Sequence, residues 1–106
     1  MRLKPSEHQI QSVILEYLTL KGYMCWRNNT GAMAGFHNGK KWFMKFGLVG
    51  SGDILGLTKE GRFFSIEVKA LGKYPTPHQK DFMERVAKTN GIAILARSLD
   101  DVEKVL

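Results

Sequence analysis

The chain is short of the features that mark secreted and membrane proteins. It has one cysteine, Cys25, so no internal disulfide can form and a reducing compartment is expected. No run of apolar residues approaches the roughly 18–20 that a membrane-spanning helix needs. The opening residues MRLKPSEH lack the apolar stretch of a signal peptide. We therefore expect no membrane partner and a cytoplasmic, intracellular location.

Length and pattern together predict a single α/β domain over residues 1–106. Ser6 with Gln9, and Thr76 with Gln79, have the spacing of a capping box at a helix start. The predicted elements are a helix over 6–21, strands over 23–28, 53–57 and 63–70, a helix that Thr76 caps and Asn90-Gly91 ends, a strand over 92–96 and a helix over 98–106. This order, α-β-β-β-α-β-α, predicts a mixed β-sheet flanked by helices.

Residues 29–52 are the least regular part of the chain. The formal net charge is +6, which favours a polyanionic partner such as nucleic acid, with a merely solvated basic surface as the alternative. Asn38-Gly39 is a hairpin signal, so this segment is expected to be either a β-hairpin flap or a mobile loop over a site. Aromatic residues alternate with Lys40, Lys41 and Lys45 around it, as in surfaces that contact nucleic-acid backbone and bases. A hairpin that packs its aromatic side chains on the core fits this composition equally well.

The predicted strand FFSIEVKA places charged residues at regular intervals. Side chains alternate between the two faces of a strand, so Ser65, Glu67 and Lys69 share the face opposite to Phe64 and Ile66. A carboxylate and an ammonium group therefore project side by side. Taken alone, this pattern is most typical of a solvent-facing ion pair on an amphipathic strand.

Asp53 gives the strand a second interpretation. The turn at residues 59–62 folds the Asp53 strand back on the Glu67 strand, which places Asp53 roughly opposite Glu67. Two carboxylates this close repel each other unless a divalent cation neutralises them. Such a site suits phosphodiester hydrolysis, because the metal lowers the pKa of bound water and offsets charge on the phosphate. Lys69 is then available to hold the attacking water or to stabilise the pentacovalent phosphorane.

Asp53, a hairpin and then Glu67-Val68-Lys69 resemble the PD-(D/E)xK nuclease superfamily. The chain is most similar to the VRR-NUC branch (virus-type replication and repair nucleases), including short stand-alone phage members. The resemblance covers nearly the whole chain and rests on five motifs in order: Glu7, Arg27-Asn28 with Gly31, Gly52-Asp53, Ile66-Glu67-Val68-Lys69, and Gly72 with Thr76 and Gln79. Gly52 stands where the family's proline would be, a departure expected to affect backbone rigidity rather than chemistry.

The resemblance implies a restriction-endonuclease-like core and a metal-dependent DNA endonuclease. Its cofactor would be Mg²⁺ or Mn²⁺, and its substrate branched, flap or four-way junction DNA in replication, repair or recombination. It also implies a homodimer in a bacterium or a phage-infected host cell. The expected catalytic residues are Glu7, Asp53, Glu67, Lys69 and Gln79; the expected metal ligands are Glu7, Asp53, Glu67 and the backbone carbonyl of Val68; the expected nucleic-acid contacts are Arg27, Asn28, Lys40, Lys41, Lys45 and Lys73.

Each of these residues also has a plainer interpretation. Glu7 lies on the face of the first helix that is expected to point inward, where a buried carboxylate needs a partner such as a metal ion. The plainer interpretation is a first-turn glutamate that the helix dipole favours without any partner. Gln79 either orients the water or the Lys69 amine, or serves only the capping box. The alternative function is a non-catalytic DNA-binding or assembly module that retains the nuclease fold. Gly50-Ser51-Gly52 lacks the ending of a P-loop, so no nucleotide cofactor is expected.

Overall fold

The computed structural model describes residues 4–106; the expectation about a signal peptide rests partly on residues 1–3, which lie outside the described residues. Helices and strands follow one another in the order α1 (Glu7–Leu20), β1 (Met24–Arg27), β2 (Gly31–His37), β3 (Lys40–Phe46), β4 (Ile54–Leu57), β5 (Phe63–Val68), α2 (Pro77–Lys88), β6 (Ile92–Ala96) and α3 (Leu99–Glu103). Both predicted capping boxes are present: Ser6 with Gln9 at α1, and Thr76 with Gln79 at α2.

Four strands form a mixed sheet in the order β1-β4-β5-β6. β1 pairs with β4, and β4 with β5, in antiparallel fashion, whereas β5 and β6 are parallel and joined through α2. The chain is therefore α/β with a mixed sheet flanked by helices, as predicted. The observed order of elements differs from the predicted one by the additional strands β2 and β3.

The main hydrophobic core lies between one face of this sheet and helices α1 and α3. Ile10, Ile14 and Leu18 of α1 are buried against Phe64, Ile66 and Val68 of β5, together with Ile54, Ile94, Ala96 and Val102. Burial of apolar surface of this kind supplies most of the stability of such a domain. The alternating residues of β5, Ser65 and Glu67, point away from this core, toward the face on which α2 packs.

β2 and β3 form a separate two-stranded sheet, here called the arm (residues 31–46). Its turn residues Asn38 and Gly39 have φ values of 51° and 77°, the positive pair that a type I′ hairpin turn requires. The Cα radius of gyration is 15.8 Å, against about 13 Å for a compact chain of this length. Phe36 and Phe43 are 75% and 65% exposed, so packing of the arm's aromatic side chains on the core is excluded for these rings.

Two predicted ends lie two or more residues beyond the observed ones. The strand β5 ends at Val68 rather than at Ala70, because the Ala70 N–H donates to Glu7 and its carbonyl accepts from Arg97. The final helix ends at Glu103, and the Leu106 carbonyl instead accepts a hydrogen bond from the Tyr23 hydroxyl at 2.9 Å. Among the helices of residues 4–106, none has both the length and the apolar character to cross a membrane.

Candidate active site

Asp53 and Glu67 lie side by side where the central strand β4 begins and its antiparallel neighbour β5 ends. The register joins Ile54 to Ile66, and the Asp53 N–H donates to the Ile66 carbonyl at 2.8 Å. The next pair along the ladder is therefore Asp53 with Glu67. The arrangement predicted from the turn at residues 59–62 is confirmed.

The two carboxyl groups are close enough to share a hydrogen bond. Glu67 is only 2% exposed, so the interpretation of this strand face as a solvated ion pair is wrong. Burial, and then the neighbouring charge of Asp53, raise the pKa of Glu67 to about 8. Burial also raises the pKa of Asp53, against the hydrogen bond that the Val68 N–H donates to Asp53 Oδ2 at 2.7 Å. Near neutral pH the pair consequently retains a proton.

Lys69 supplies the positive charge of the site without forming an ion pair. Its charge lowers the pKa of both Asp53 and Glu67, which places it within electrostatic reach of the two carboxyls. Across residues 4–106, the ion pair within 4.0 Å is that between Asp81 and Arg85 on α2. The Lys69 ammonium group is therefore near the carboxyls and free to bind another anion.

Gln79 completes the capping box and also contacts the candidate site. Its Oε1 accepts the Thr76 N–H at 2.8 Å, and its backbone N–H donates to Thr76 Oγ1 at 3.3 Å, which completes the capping box. Its Nε2 donates to Glu67 Oε1 at 2.8 Å. The amide thus orients the Glu67 carboxyl, a contact that the sequence did not indicate.

Glu7 is half-buried at the first turn of α1 and is tied to the chain beyond β5. Its Oε2 accepts the Ala70 N–H at 2.9 Å, so the partner that the sequence demanded for this acid is a backbone amide. The Ala70 carbonyl in turn accepts a hydrogen bond from Arg97 at 2.7 Å. Glu7 contributes to the electrostatic field of the site, since its charge raises the pKa of both Asp53 and Glu67.

The donor chemistry of the carboxyl pair fits a hard divalent cation. In the described part of the chain, no three His, Cys, Asp or Glu side chains are already arranged around a common metal position. Mg²⁺ does not require such a cage, because it binds through one or two carboxylates and retains several waters. Asp53 and Glu67 meet this need, and Glu7 uses one of its two carboxylate oxygens to accept the Ala70 N–H.

Asn28 holds the segment that carries Asp53. Its Nδ2 donates to Ser51 Oγ at 2.7 Å and to the Gly52 carbonyl at 3.0 Å, and its backbone N–H donates to the Asp53 carbonyl at 2.8 Å. Asn28 was expected to contact nucleic acid, and its amide nitrogen is occupied within the protein. No local pattern in the sequence distinguishes these two roles for an asparagine after a strand.

The glycine before Asp53 is explained by a residue on the neighbouring strand. A Cβ atom at position 52 would collide with Ser65 Oγ, and would lie 3.0 Å from the Ile66 carbonyl. Ser65 is fully buried, and its hydroxyl has no hydrogen-bond partner among the residues that the structure describes. Gly52 therefore permits the close approach of two strands that positions Asp53 against Glu67.

The other expected nucleic-acid contacts are dispersed around the molecule. Arg27 donates to Ser12 Oγ at 3.1 Å and contacts His8 Nδ1 at 2.8 Å on the surface of α1. Lys73 is exposed in the turn after Lys69, where its N–H donates to the Ala70 carbonyl at 3.1 Å. Lys40, Lys41 and Lys45 are exposed on β3 of the arm. The structure thus brings Glu7, Asp53, Glu67, Lys69 and Gln79 together, and leaves the arm lysines in a separate sheet.

Comparisons with known proteins add no family assignment to this geometry. The chain matches no protein-family model and no curated protein.

Proposed function

We propose that this chain is a divalent-metal-dependent DNA endonuclease with its active site at Asp53, Glu67 and Lys69. The observation that carries the proposal is the hydrogen-bonded pair of carboxyl groups, Glu67 buried and Asp53 half-buried, with a lysine beside it. Burying two like charges costs stability, and groups with strongly raised pKa values in such a pair are characteristic of functional sites. A cation bound between Asp53 and Glu67 would turn this repulsion into binding free energy.

Asp53, Glu67 and the Val68 carbonyl are the proposed ligands of Mg²⁺ or Mn²⁺, with Glu7 as a further carboxylate. All are hard oxygen donors, as both ions prefer. When bound, the cation supplies the Lewis acid that activates water for attack on the phosphodiester and offsets the charge developing on the phosphate.

The remaining chemistry belongs to side chains of the protein. Gln79 fixes one oxygen of Glu67 and the Val68 N–H fixes one oxygen of Asp53, so both carboxyls are oriented before a ligand arrives. Lys69 carries the free positive charge, which suits it to hold the attacking water or to stabilise negative charge on the phosphate. Such preorganised groups need no rearrangement during the reaction.

We also propose that the chain belongs to the VRR-NUC branch of the PD-(D/E)xK nucleases and has their restriction-endonuclease-like core. The proposal is supported by the five ordered motifs of the sequence. It is further supported by the proximity of Glu7, Asp53, Glu67, Lys69 and Gln79 where β4 begins and β5 ends. The arm, β2 with β3, is an addition to the predicted order of elements.

Branched DNA is the proposed substrate, cut in the cytoplasm by a homodimer. One site can nick one strand, so paired cleavage of a four-way junction needs two sites related by symmetry. The arm supports association between copies, because an isolated two-stranded sheet is marginally stable in water and this one exposes Met33 and Met44. Light scattering at micromolar concentration should give the mass of a dimer, and a monomeric mass would contradict this part of the proposal.

The decisive test is cleavage of single-stranded, duplex, flap and four-way DNA with and without Mg²⁺ or Mn²⁺. Glu67→Ala should abolish metal-dependent cleavage, with at least about a 100-fold loss, because several kcal/mol of charge stabilisation depend on the metal. Glu60→Ala removes an exposed carboxylate in the turn before β5 and serves as the matched control. Equal cleavage by Glu67→Ala and the parent protein would refute the assignment. DNA binding with no metal-dependent cleavage would favour a non-catalytic binding or assembly module.

A further inference from the structure

The two faces of the arm are chemically different. The register pairs Phe36 with Lys41 and Ala34 with Phe43, so Phe36, Lys41, Phe43 and Lys45 share one face, here called the Lys–Phe face. The opposite face, called the Trp face, carries Met33, Trp42, Met44 and Phe46. All three lysines of the arm lie on β3, and the one at the turn, Lys40, belongs to the Trp face.

Aromatic rings on the Trp face cover the arm's own backbone. A Cβ atom at Gly35 would lie 2.8 Å from the Trp42 ring, and one at Gly31 would lie 3.1 Å from the Phe46 ring. Both rings therefore lie across glycines of β2, and they are 40% and 37% exposed. On the Lys–Phe face, Phe36 and Phe43 are 75% and 65% exposed. The free aromatic surface of the arm is thus concentrated on the face that carries Lys41 and Lys45.

The charge around this face selects an anionic partner. No aspartate or glutamate occurs between Glu16 and Asp53, whereas five lysines and arginines do. In the described structure, the ion pair within 4.0 Å lies on α2, so the arm lysines are not neutralised by a carboxylate at that distance. A partner that covered the Lys–Phe face would have to bring both negative charge and flat apolar surface.

Unpaired nucleotides combine these two properties. Along β3, Lys41, Phe43 and Lys45 recur with a spacing of about 6.8 Å, which alternates positive charges with an aromatic ring. Single-stranded nucleic acid offers phosphates to such lysines and exposed bases to such rings, whereas the bases of a duplex are already stacked on each other. We propose that the Lys–Phe face binds unpaired nucleotides of the DNA substrate. This inference rests on the proposed function and specifies the substrate as DNA with a single-stranded segment near the cleavage site.

The test is equilibrium binding of fluorescent oligothymidylate and of a fluorescent blunt duplex, measured by fluorescence anisotropy. The buffer contains EDTA so that no cleavage occurs. Phe36→Ala with Phe43→Ala should weaken oligothymidylate binding at least about tenfold, and duplex binding less than about threefold, because base stacking is lost. Lys41→Ala with Lys45→Ala should weaken both, and should reduce the slope of log affinity against log salt by about 1.4 for the single strand.

Val13→Ala with Leu20→Ala is the matched control outside the arm, since both are apolar side chains of α1 and are 50% and 81% exposed. It should leave the affinity for oligothymidylate unchanged. Thermal melting should be similar in all variants, because none of the substituted side chains is buried. A melting temperature that stays constant while only the phenylalanine and lysine variants lose affinity is the expected pattern.

Unchanged oligothymidylate affinity in the double phenylalanine variant would overturn the proposal. The proposal would also be overturned if the double phenylalanine variant changed from a dimer to a monomer and still bound oligothymidylate. The Lys–Phe face would then be a contact between copies of the chain. Binding of the parent protein to anionic phospholipid vesicles but not to oligothymidylate would assign the face to a lipid surface. The nuclease function is read separately from metal-dependent cleavage of flap and four-way DNA. If cleavage is absent while the phenylalanine effect on binding persists, the nuclease proposal fails and the binding face stands.

Discussion

The Gln79 side chain connects the start of a helix to the Glu67 carboxyl. Its Oε1 accepts the Thr76 N–H at 2.8 Å, and its Nε2 donates to Glu67 Oε1 at 2.8 Å. Because the capping box consumes the amide oxygen, the nitrogen is the atom that faces the site. A capping motif that stabilises α2 therefore also fixes the polarity of the group presented to Glu67.

The first prediction separates these two roles. Thr76→Ala and Gln79→Ala should each destabilise the fold by about 1 kcal/mol, because each removes part of the same cap. Gln79→Ala should also slow metal-dependent cleavage by at least about tenfold, as expected when a group that orients a metal ligand is lost. Thr76→Ala should stay within about twofold of the parent rate. Urea denaturation and single-turnover cleavage measure the two effects.

Gln79→Glu extends this comparison. It retains an acceptor for the Thr76 N–H but places a second negative charge against Glu67, so its cleavage should fall further than that of Gln79→Ala. Equal cleavage by Thr76→Ala and Gln79→Ala would mean that Gln79 serves the helix alone.

Local patterns in the sequence predicted the parts of the site that depend on local spacing. The capping boxes span four residues each, and the register of Asp53 with Glu67 follows from one short turn. Both could therefore be predicted from the sequence. The strand alternation also placed Glu67 on the correct face, although it could not reveal that α2 would bury that face.

Contacts between distant residues were not predictable in the same way. Asn28 and Gly52 are separated by 24 positions, and Glu7 and Ala70 by 63, so no periodicity links them. The position of the arm was equally hidden, because a hairpin has the same alternating pattern whether it packs on a core or stands free. Tertiary packing alone decides these cases.

The second prediction concerns the contact between Gly52 and Ser65. Gly52→Ala should destabilise the protein by roughly 2 kcal/mol, because its Cβ collides with the buried Ser65 hydroxyl. Ser65→Ala should stabilise it by about 1 kcal/mol, since a buried hydroxyl without a partner is removed. The double variant should recover more than half of the loss caused by Gly52→Ala. Urea denaturation of the four proteins gives the coupling, and strictly additive effects would show that the two residues do not meet.

The third prediction tests whether Asn28 positions Asp53 or contacts DNA. Asn28→Ala removes the two hydrogen bonds to Ser51 and Gly52, so stability should fall by about 1–3 kcal/mol. Metal-dependent cleavage should fall at least about tenfold, because the segment that carries Asp53 loses the hydrogen bonds that hold it in place. DNA affinity in EDTA should stay unchanged.

Asn28→Asp sharpens this test, because it has nearly the same shape but no amide donor. It should be more damaging than Asn28→Ala, since it sets a carboxylate against the Gly52 carbonyl and close to Asp53. If Asn28→Ala weakens DNA binding in EDTA and leaves stability intact, Asn28 is a nucleic-acid contact, as the sequence first indicated.

The fourth prediction follows from the raised pKa of Glu67, which is about 8 in the folded protein against an ordinary value of 4.5. Between these two values the folded protein binds a proton at Glu67 that the unfolded chain has released. The metal-free protein should therefore lose stability as pH rises from about 4.5 to about 8, with a contribution of at most about 1.4 kcal/mol per pH unit for one proton.

Glu67→Gln resembles the protonated acid and can still accept from Gln79, so it should remove this contribution and be the more stable protein at pH 8. Urea denaturation in EDTA at several pH values measures both proteins, with Glu60→Gln as the control for an exposed carboxylate. Saturating Mg²⁺ should reduce the loss of stability of the parent protein with rising pH, because the cation binds the ionised pair. If the stabilities of the parent and of Glu67→Gln depend on pH in the same way, Glu67 is already ionised when buried.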